Sequence, residues 1–154
     1  MWIGVISDTH GLLRPEALQS LAGCDHILHA GDIGDDAILD ALRKIAPVTA
    51  IRGNIDQGGV CGALPSVDTV ELAGRLFYLV HAREDLDLNP QVAGISAVIY
   101  GHSHQPEISW SNGVLYFNPG SAGPRRFSLP ITLGILKCTP NALTPSIVPL
   151  VTAA

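Results

Sequence analysis

Short apolar runs punctuate the chain, each ending in polar or Gly-rich residues: Trp2–Ile6, Ile27–His29, Val48–Ile51, Leu76–Val80, Ala97–Tyr100, Val114–Phe117, Ile131–Leu136 and Ile147–Val151. They are short, often β-branched and nearly free of internal polarity, which suits strands buried on both faces. Two helical patterns lie between the early runs. Pro15–Leu21 opens with Pro at the first helical position and sets Leu18 and Leu21 on one side. Asp36–Ile45 follows Asp35 as N-cap and repeats Ile38, Leu39, Leu42 and Ile45 at helical spacing. Strand–helix–strand–helix–strand predicts parallel pairing through right-handed crossovers. The later part is mostly strand, with Asn112-Gly113 turning Ile108–Trp110 into Val114–Phe117 as a hairpin. Gln57–Gly62 and Leu143–Pro149 read as surface loops, the latter with edge-strand character. The expectation is a layered α/β fold that becomes increasingly β.

Length and composition narrow the class. At 154 residues, 1–154 forms a single domain, and 47% apolar with 15% charged residues supports a sizeable core rather than disorder. A net charge of −5 argues against holding nucleic acid through a basic surface, and no basic block exceeds Arg125-Arg126. Cys24, Cys61 and Cys138 are odd in number and form no CxxC, which fits packing thiols in a reducing compartment. The MWIGVISD start lacks a basic region or a cleavage-like site, and no run reaches the roughly 20 apolar residues of a membrane span. The expected location is the cytoplasm, with no membrane partner and with homo-oligomerisation left open.

The chemistry gathers where strands end. Successive runs lead into Ser7-Asp8-Thr9-His10, His29-Ala30-Gly31-Asp32, Gly53-Asn54, His81 and Gly101-His102-Ser103-His104. Each motif alone has a plain structural reading: Asp at a strand–helix junction caps, Gly-Asp and Gly-Asn turn, and a lone His is usually a satisfied one. Together they place one menu of ligands at the carboxyl ends of five strands, the edge where open α/β sheets bind ligands. Asp8, His10, Asp32, Asn54, His81, His102 and His104 are too many for one tetrahedral ion. They suit two divalent ions about 3.5–4 Å apart that share a carboxylate. Nitrogen and oxygen donors without thiolate favour Mn²⁺, Fe²⁺, Ni²⁺, Co²⁺ or Zn²⁺. Such a pair suits phosphoester hydrolysis.

The ordered set DxH, GD, GN, strand-end H and GHxH resembles the calcineurin-like metallophosphoesterase superfamily. Asn118-Pro119-Gly120-Ser121 is similar to the NPGS segment of its small single-domain bacterial and archaeal phosphodiesterase branch. The resemblance implies a layered α-β-β-α sandwich of two mixed β-sheets flanked by helices, with a site at one edge. It implies that Asp8, His10 and His104 hold one metal and Asn54, His81 and His102 the other, with Asp32 bridging. Asp32, Asn54 and His102 would act in catalysis, and Asn54 would also orient a phosphate oxygen. Mn²⁺ is the first candidate among the cofactors, a metal-bridging hydroxide the nucleophile, and a small phosphoester the substrate. Arg125 is the candidate phosphate contact.

Two departures sharpen the reading. Relatives often place His or Cys after GN as a proton donor, whereas this chain has Ile55; His81 is followed by Ala82 where Gly is common. Without a donor, activated aryl phosphodiesters should turn over better than alkyl monoesters, since general acid catalysis is worth about 10²–10⁴-fold. The alternative is an inactive protein-interaction module, for the fold also serves as a subunit of a eukaryotic trafficking complex. Asp56 is open between supporting a ligand histidine and capping the turn, and Asn118, Gly120 and Ser121 between aiming N–H groups at the site and simply turning the chain. His29 reads as a core or supporting residue, and His26 as a surface residue at a strand start.

Overall fold

The computed structural model describes residues 1–151. The first strand, β1 (Trp2–Ile6), pairs in parallel with β2 (His26–His29), which pairs in parallel with β3 (Val48–Ala50). Helices α1 (Pro15–Leu21) and α2 (Asp36–Arg43) form the connections. Asp35 caps α2 as expected, accepting from the Ala37 N–H at 2.9 Å. That helix stops at Arg43 rather than Ile45, where the turn before Pro47 ends it. A one-turn helix, α3 (Gly59–Gly62), occupies the stretch expected to be loop. It is held by Asp36, whose carboxylate accepts from the Val60 and Cys61 N–H groups.

The remaining strands are β4 (Val67–Leu72), β5 (Arg75–Val80), β6 (Ile95–Ile99), β7 (Glu107–Ser111), β8 (Val114–Asn118), β9 (Thr132–Cys138) and β10 (Leu143–Pro149). Two five-stranded mixed sheets result, ordered β10-β9-β1-β2-β3 and β4-β5-β6-β8-β7. The predicted β7–β8 hairpin is present, with Asn112 and Gly113 both at positive φ (53° and 77°). The last strand covers 143–149 instead of 147–151, so the segment first read as a loop is an edge strand. Edge placement tolerates Pro145 and Pro149, which lack a ladder donor.

The sheets pack face to face. Ile3, Val5, Leu28 and Ile51 of one meet Phe77, Leu79, Ile99, Leu115 and Phe117 of the other in a fully buried layer. The outer face of the first sheet packs under α1 and α2 through Ile6, Ile27, Leu21, Leu39 and Leu42. On the outer face of the second, Tyr78, Val80, Ile95 and Val98 pack with Leu86, which follows a 3₁₀ turn at Arg83–Asp85. This is the layered sandwich expected, with the second helical layer reduced to that turn and its loop. No helix among the described residues is long and apolar enough to cross a membrane.

Candidate metal centre

Parallel pairing puts the carboxyl ends of β1, β2 and β3 at one edge, and those of β5 and β6 face them. Backbone hydrogen bonds lock the loops together: Asp8 N–H to Gly31 O at 3.0 Å, His10 N–H to Asp32 O at 2.9 Å and Gly101 N–H to His81 O at 2.9 Å. Asp8, His10, Asp32, His102 and His104 all have positive φ, between 46° and 73°. Left-handed backbone is uncommon outside glycine and costs of order 1–3 kcal/mol per residue where it is imposed. Concentrated on five of the seven predicted ligands, it marks side chains aimed against local preference. The glycines beside them give clearance. A Cβ on Gly53 would lie 2.2 Å from Asp32 Oδ1, and one on Gly101 would lie 2.5 Å from Asp8 Oδ2.

Each carboxylate divides its oxygens between scaffold and site. Asp8 Oδ2 accepts from Ser7 Oγ (2.7 Å) and from the His102 N–H (3.1 Å), while Oδ1 faces three histidines. Asp32 Oδ1 accepts from the Ile55 N–H at 3.1 Å, while Oδ2 faces His10 and His81. Ile55 thus serves through its backbone, and its side chain stands 45% exposed at the rim.

The histidines are aimed the same way. His81 Nδ1 donates to Ala30 O at 2.7 Å, which leaves Nε2 facing Asp32 Oδ2 at 3.3 Å. A ring nitrogen fixed by a backbone carbonyl, with the other free, is the usual arrangement of a metal-binding histidine. His10 Nε2 lies 3.5 Å from Asp32 Oδ2 and 3.7 Å from Asp8 Oδ1, and His104 Nε2 lies 3.4 Å from Asp8 Oδ1. Two donors each about 2.1 Å from a shared ion lie about 3–3.5 Å apart, so a small contraction would suffice. Two groups converge tightly, Asp8–His10–His104 and Asp8–Asp32–His81. Asp8 Oδ1, His10 Nε2, His81 Nε2 and His104 Nδ1 are buried without a hydrogen-bond partner. Such atoms are costly unless something satisfies them, and Asp8 Oδ1, His10 Nε2 and His81 Nε2 are the same atoms that face one another across the cluster, each able to give an electron pair to a borderline cation. The residues present therefore fit divalent metal. Asn54 and His102 meet at the exposed rim, Nδ2 to Nδ1 at 3.3 Å, with the His102 ring centroid 5.2 Å from that of His81.

The electrostatics of the cluster keep its carboxylates anionic. Burial pushes the Asp32 carboxyl up, but contact with His81 outweighs it and holds the pKa well below the usual range. Asp8 is likewise held low, its burial overcome by His10, His81, Ser7 and His104. Burial disfavours the His81 imidazolium, yet Asp32, Ala30 O and Asp8 together raise its pKa.

A surrounding network explains residues the sequence left open. Asp56 caps turns and touches no ligand histidine. Its buried carboxylate accepts from the Ile33, Gly34 and Gly53 N–H groups, tying the Asp32 loop to the Asn54 loop. His29 is fully buried; its Nδ1 accepts from the Gly31 N–H, so Nε2–H donates to Thr9 Oγ1, whose hydroxyl donates to Ile33 O. His26, half-buried at the start of β2, pairs with Thr49 at 2.8 Å. Asn118 donates to Gly101 O and Ser103 Oγ, and Ser121 Oγ donates to Asp8 O, so the NPGS segment braces two ligand loops through side chains. Ser7 and the Ala30 carbonyl escaped the sequence reading. The only signal for Ser7 was its place beside Asp8. Arg125 is exposed and donates to Leu129 O within its own loop, whereas the charge of Arg126, after burial and against Asp8, helps lower the His104 pKa. Burial, and then Asp36, pushes the Cys61 thiol up to about 12, which disfavours the thiolate.

A two-sheet sandwich carrying this ligand cluster at one edge defines a metallophosphoesterase-type fold and site. The comparisons with known proteins agree. Residues 1–141 match the calcineurin-like phosphoesterase superfamily domain, and the chain belongs to that superfamily. It is 35% identical over 134 residues to a probable metallophosphoesterase of Methanocaldococcus jannaschii, covering 79% of this chain and 68% of that protein. Among solved structures it superposes on an archaeal phosphodiesterase with a TM-score of 0.79 at 24% identity, over 96% of this chain and 100% of the other. It also superposes on Vps29 of Chaetomium thermophilum with a TM-score of 0.77 at 18% identity, over 96% of each chain. At these identities the two structures show a shared fold.

Proposed function

We propose that the protein is a metal-dependent phosphodiesterase with a dinuclear centre. Asp8, His10 and His104 would hold one ion, Asn54, His81 and His102 the other, and Asp32 would bridge them. The observation that carries the reading is the convergence of Asp8 Oδ1, His10 Nε2 and His81 Nε2, buried and without hydrogen-bond partners, within two ligand-spaced groups. When bound, divalent ions supply Lewis acidity, which brings water deprotonation near neutral pH and neutralises phosphoryl oxygens. Mn²⁺ is the first choice, with Fe²⁺, Ni²⁺, Co²⁺ and Zn²⁺ also matching the donors.

The chain's own residues do the positioning. The Asp8 and Asp32 oxygens facing the site are aimed by the bonds that their partner oxygens accept from Ser7, the His102 N–H and the Ile55 N–H. Ser7 Oγ donates to Asp8 Oδ2 and serves to aim that carboxylate; the attacking oxygen would come from water, without a covalent enzyme intermediate. Asn54, on the rim beside His102, would orient a phosphoryl oxygen, with Arg125 as a further phosphate contact. Ile55 has no proton to give. The preferred substrates are therefore diesters with good leaving groups, such as bis-p-nitrophenyl phosphate. The three free thiols support a cytoplasmic location.

The test is a comparison on Mn²⁺-loaded protein of bis-p-nitrophenyl phosphate with an alkyl phosphomonoester. Faster turnover of the diester is expected, and faster turnover of the monoester would refute the assignment.

A further inference from the structure

A hollow beside the candidate centre bears on substrate class. It is a cavity of about 320 Å³ that shares Gly101 and His102 with the centre and is otherwise bounded by Arg83, Ser103, Gln105 and Glu107, among others. That volume lies at the small end of ligand pockets, enough for one arm of a diester.

Its polar groups are specific in what they leave open. Arg83 Nη1 lies 2.6 Å from Glu107 Oε1, and the guanidinium stacks 4.4 Å from the centroid of the Tyr116 ring. Tyr100 donates its hydroxyl to the same Glu107 oxygen. The arginine of the lining is thereby paired at the rim, while Glu84 adds a second carboxylate. An arm bearing another phosphate would meet net negative charge. Glu107 Oε2 and the Gln105 side-chain amide take no partner among the described residues. Ser103 Oγ already accepts from Asn118 Nδ2 (3.1 Å) and the Gln105 N–H (3.2 Å), so its hydroxyl proton is free to donate. A donor, an anionic acceptor and an amide that is both, all lining the one hollow and open to solvent, complement hydroxyl groups, which donate and accept at once. A methyl arm would make none of these hydrogen bonds, and an aryl arm would be taken for its leaving group rather than for contacts here.

Resting on the phosphodiesterase reading, we propose that this hollow is the subsite for one ester arm of the substrate, and that the arm is a polyhydroxylated alcohol of glycerol or pentose size. Glu107, Gln105 and Ser103 select it, and Arg83 with Tyr100 hold Glu107 in place.

The test uses three p-nitrophenyl phosphodiesters that release the same phenolate and differ in the other arm: glyceryl, methyl and choline. Mn²⁺-loaded wild-type protein should show kcat/KM for the glyceryl ester about tenfold or more above the methyl ester, the worth of one hydrogen bond to a charged group. Glu107→Gln and, separately, Gln105→Ala should shrink that ratio toward unity. A ratio near unity in the wild type, a ratio the variants leave untouched, or a preference for the choline arm would overturn the proposal. A second measurement separates the subsite from the activity. In Zn²⁺-loaded protein, glycerol 3-phosphate should shift the amide resonances of Ser103, Gln105 and Glu107, and inorganic phosphate should not shift those of Gln105 and Glu107. Those shifts without hydrolysis of any ester would uphold the subsite and overturn the enzyme reading. Absence of both would overturn both.

Discussion

Replacing Asp56 by Ala tests the loop scaffold most sharply. The carboxylate is buried and accepts from three backbone donors, the Ile33 N–H (3.1 Å to each oxygen), the Gly34 N–H (3.1 Å) and the Gly53 N–H (2.9 Å). Truncation strands all three. A buried donor left without a partner costs about 1–3 kcal/mol. The Ile33 donor is fully buried and takes the upper part of that range, while the Gly34 and Gly53 donors are partly reachable by water. The expected loss is about 3–5 kcal/mol, against a total of about 5–15 kcal/mol for a domain. At about 2–4 °C per kcal/mol for this size, Tm should fall by roughly 6–20 °C. Asp56→Asn keeps one acceptor oxygen and should lose about half as much. The assay is urea and thermal unfolding after chelation, so that bound metal does not mask the change by mass action. With metal restored, Asp56→Ala should weaken Mn²⁺ binding by about 10- to 100-fold, because the Asp32 and Asn54 loops share this anchor. A stability loss below about 1 kcal/mol would refute the reasoning, since it would mean the three donors are satisfied without Asp56.

Further outcomes follow from single contacts. His29 is buried neutral with its pKa lowered to about 4, by burial first, against an ordinary value of 6.5. The unfolded chain takes up a proton below 6.5 that the folded one refuses until about 4, so this group's stability contribution is lost as pH falls through that window. The slice, at most about 3 kcal/mol, should be missing from the stability–pH curve of His29→Gln measured in chelator; identical curves would contradict it. Asp8 and Asp32, held below the ordinary 3.8, lose their contribution only at pH below that value, outside the His29 window. Ile55→His should raise turnover of alkyl monoesters by about 10²-fold or more by restoring a proton donor at the rim; a rate within twofold of wild type (about no change on that scale) would show that leaving-group protonation is not limiting. Gly53→Ala forces a methyl against Asp32 Oδ1 and should cut diesterase activity by about 10²-fold through misplacement of that carboxylate, with full activity as the contrary result.

What the sequence carried, and what it did not, divides along physical lines. Strands buried on both faces announce themselves, and Trp2–Ile6, the Leu76–Val80 run and the β7–β8 hairpin stand where the pattern put them. β4 was invisible because exposed Val67, Thr69 and Glu71 alternate with half-buried Asp68 and Val70 on a sheet edge, where burial exerts little pressure. β10 was blurred by its prolines, which only an edge tolerates. The candidate ligands were legible because strand ends are fixed by topology, so residue type and order suffice to nominate them. Their aim was not: the left-handed backbone of Asp8, His10, Asp32, His102 and His104 and the Ala30 carbonyl behind His81 arise from loop-to-loop hydrogen bonds between distant segments. Asp56 shows the same limit, for its three donors belong to two loops some 20 residues apart in sequence. The hollow beside His102 depends on Arg83 meeting Glu107 across 24 positions, which no local pattern encodes.

The dinuclear site is tested most directly by counting metal. The purified protein, loaded with Mn²⁺, desalted and analysed by inductively coupled plasma mass spectrometry, should carry about two ions per chain. Asp32→Asn, which removes the bridge while leaving the Ile55 contact an amide oxygen to donate to, should carry about one or none. Two ions retained by Asp32→Asn would contradict the bridging role, and none in the wild type would contradict the account and leave an interaction module built on the same sandwich.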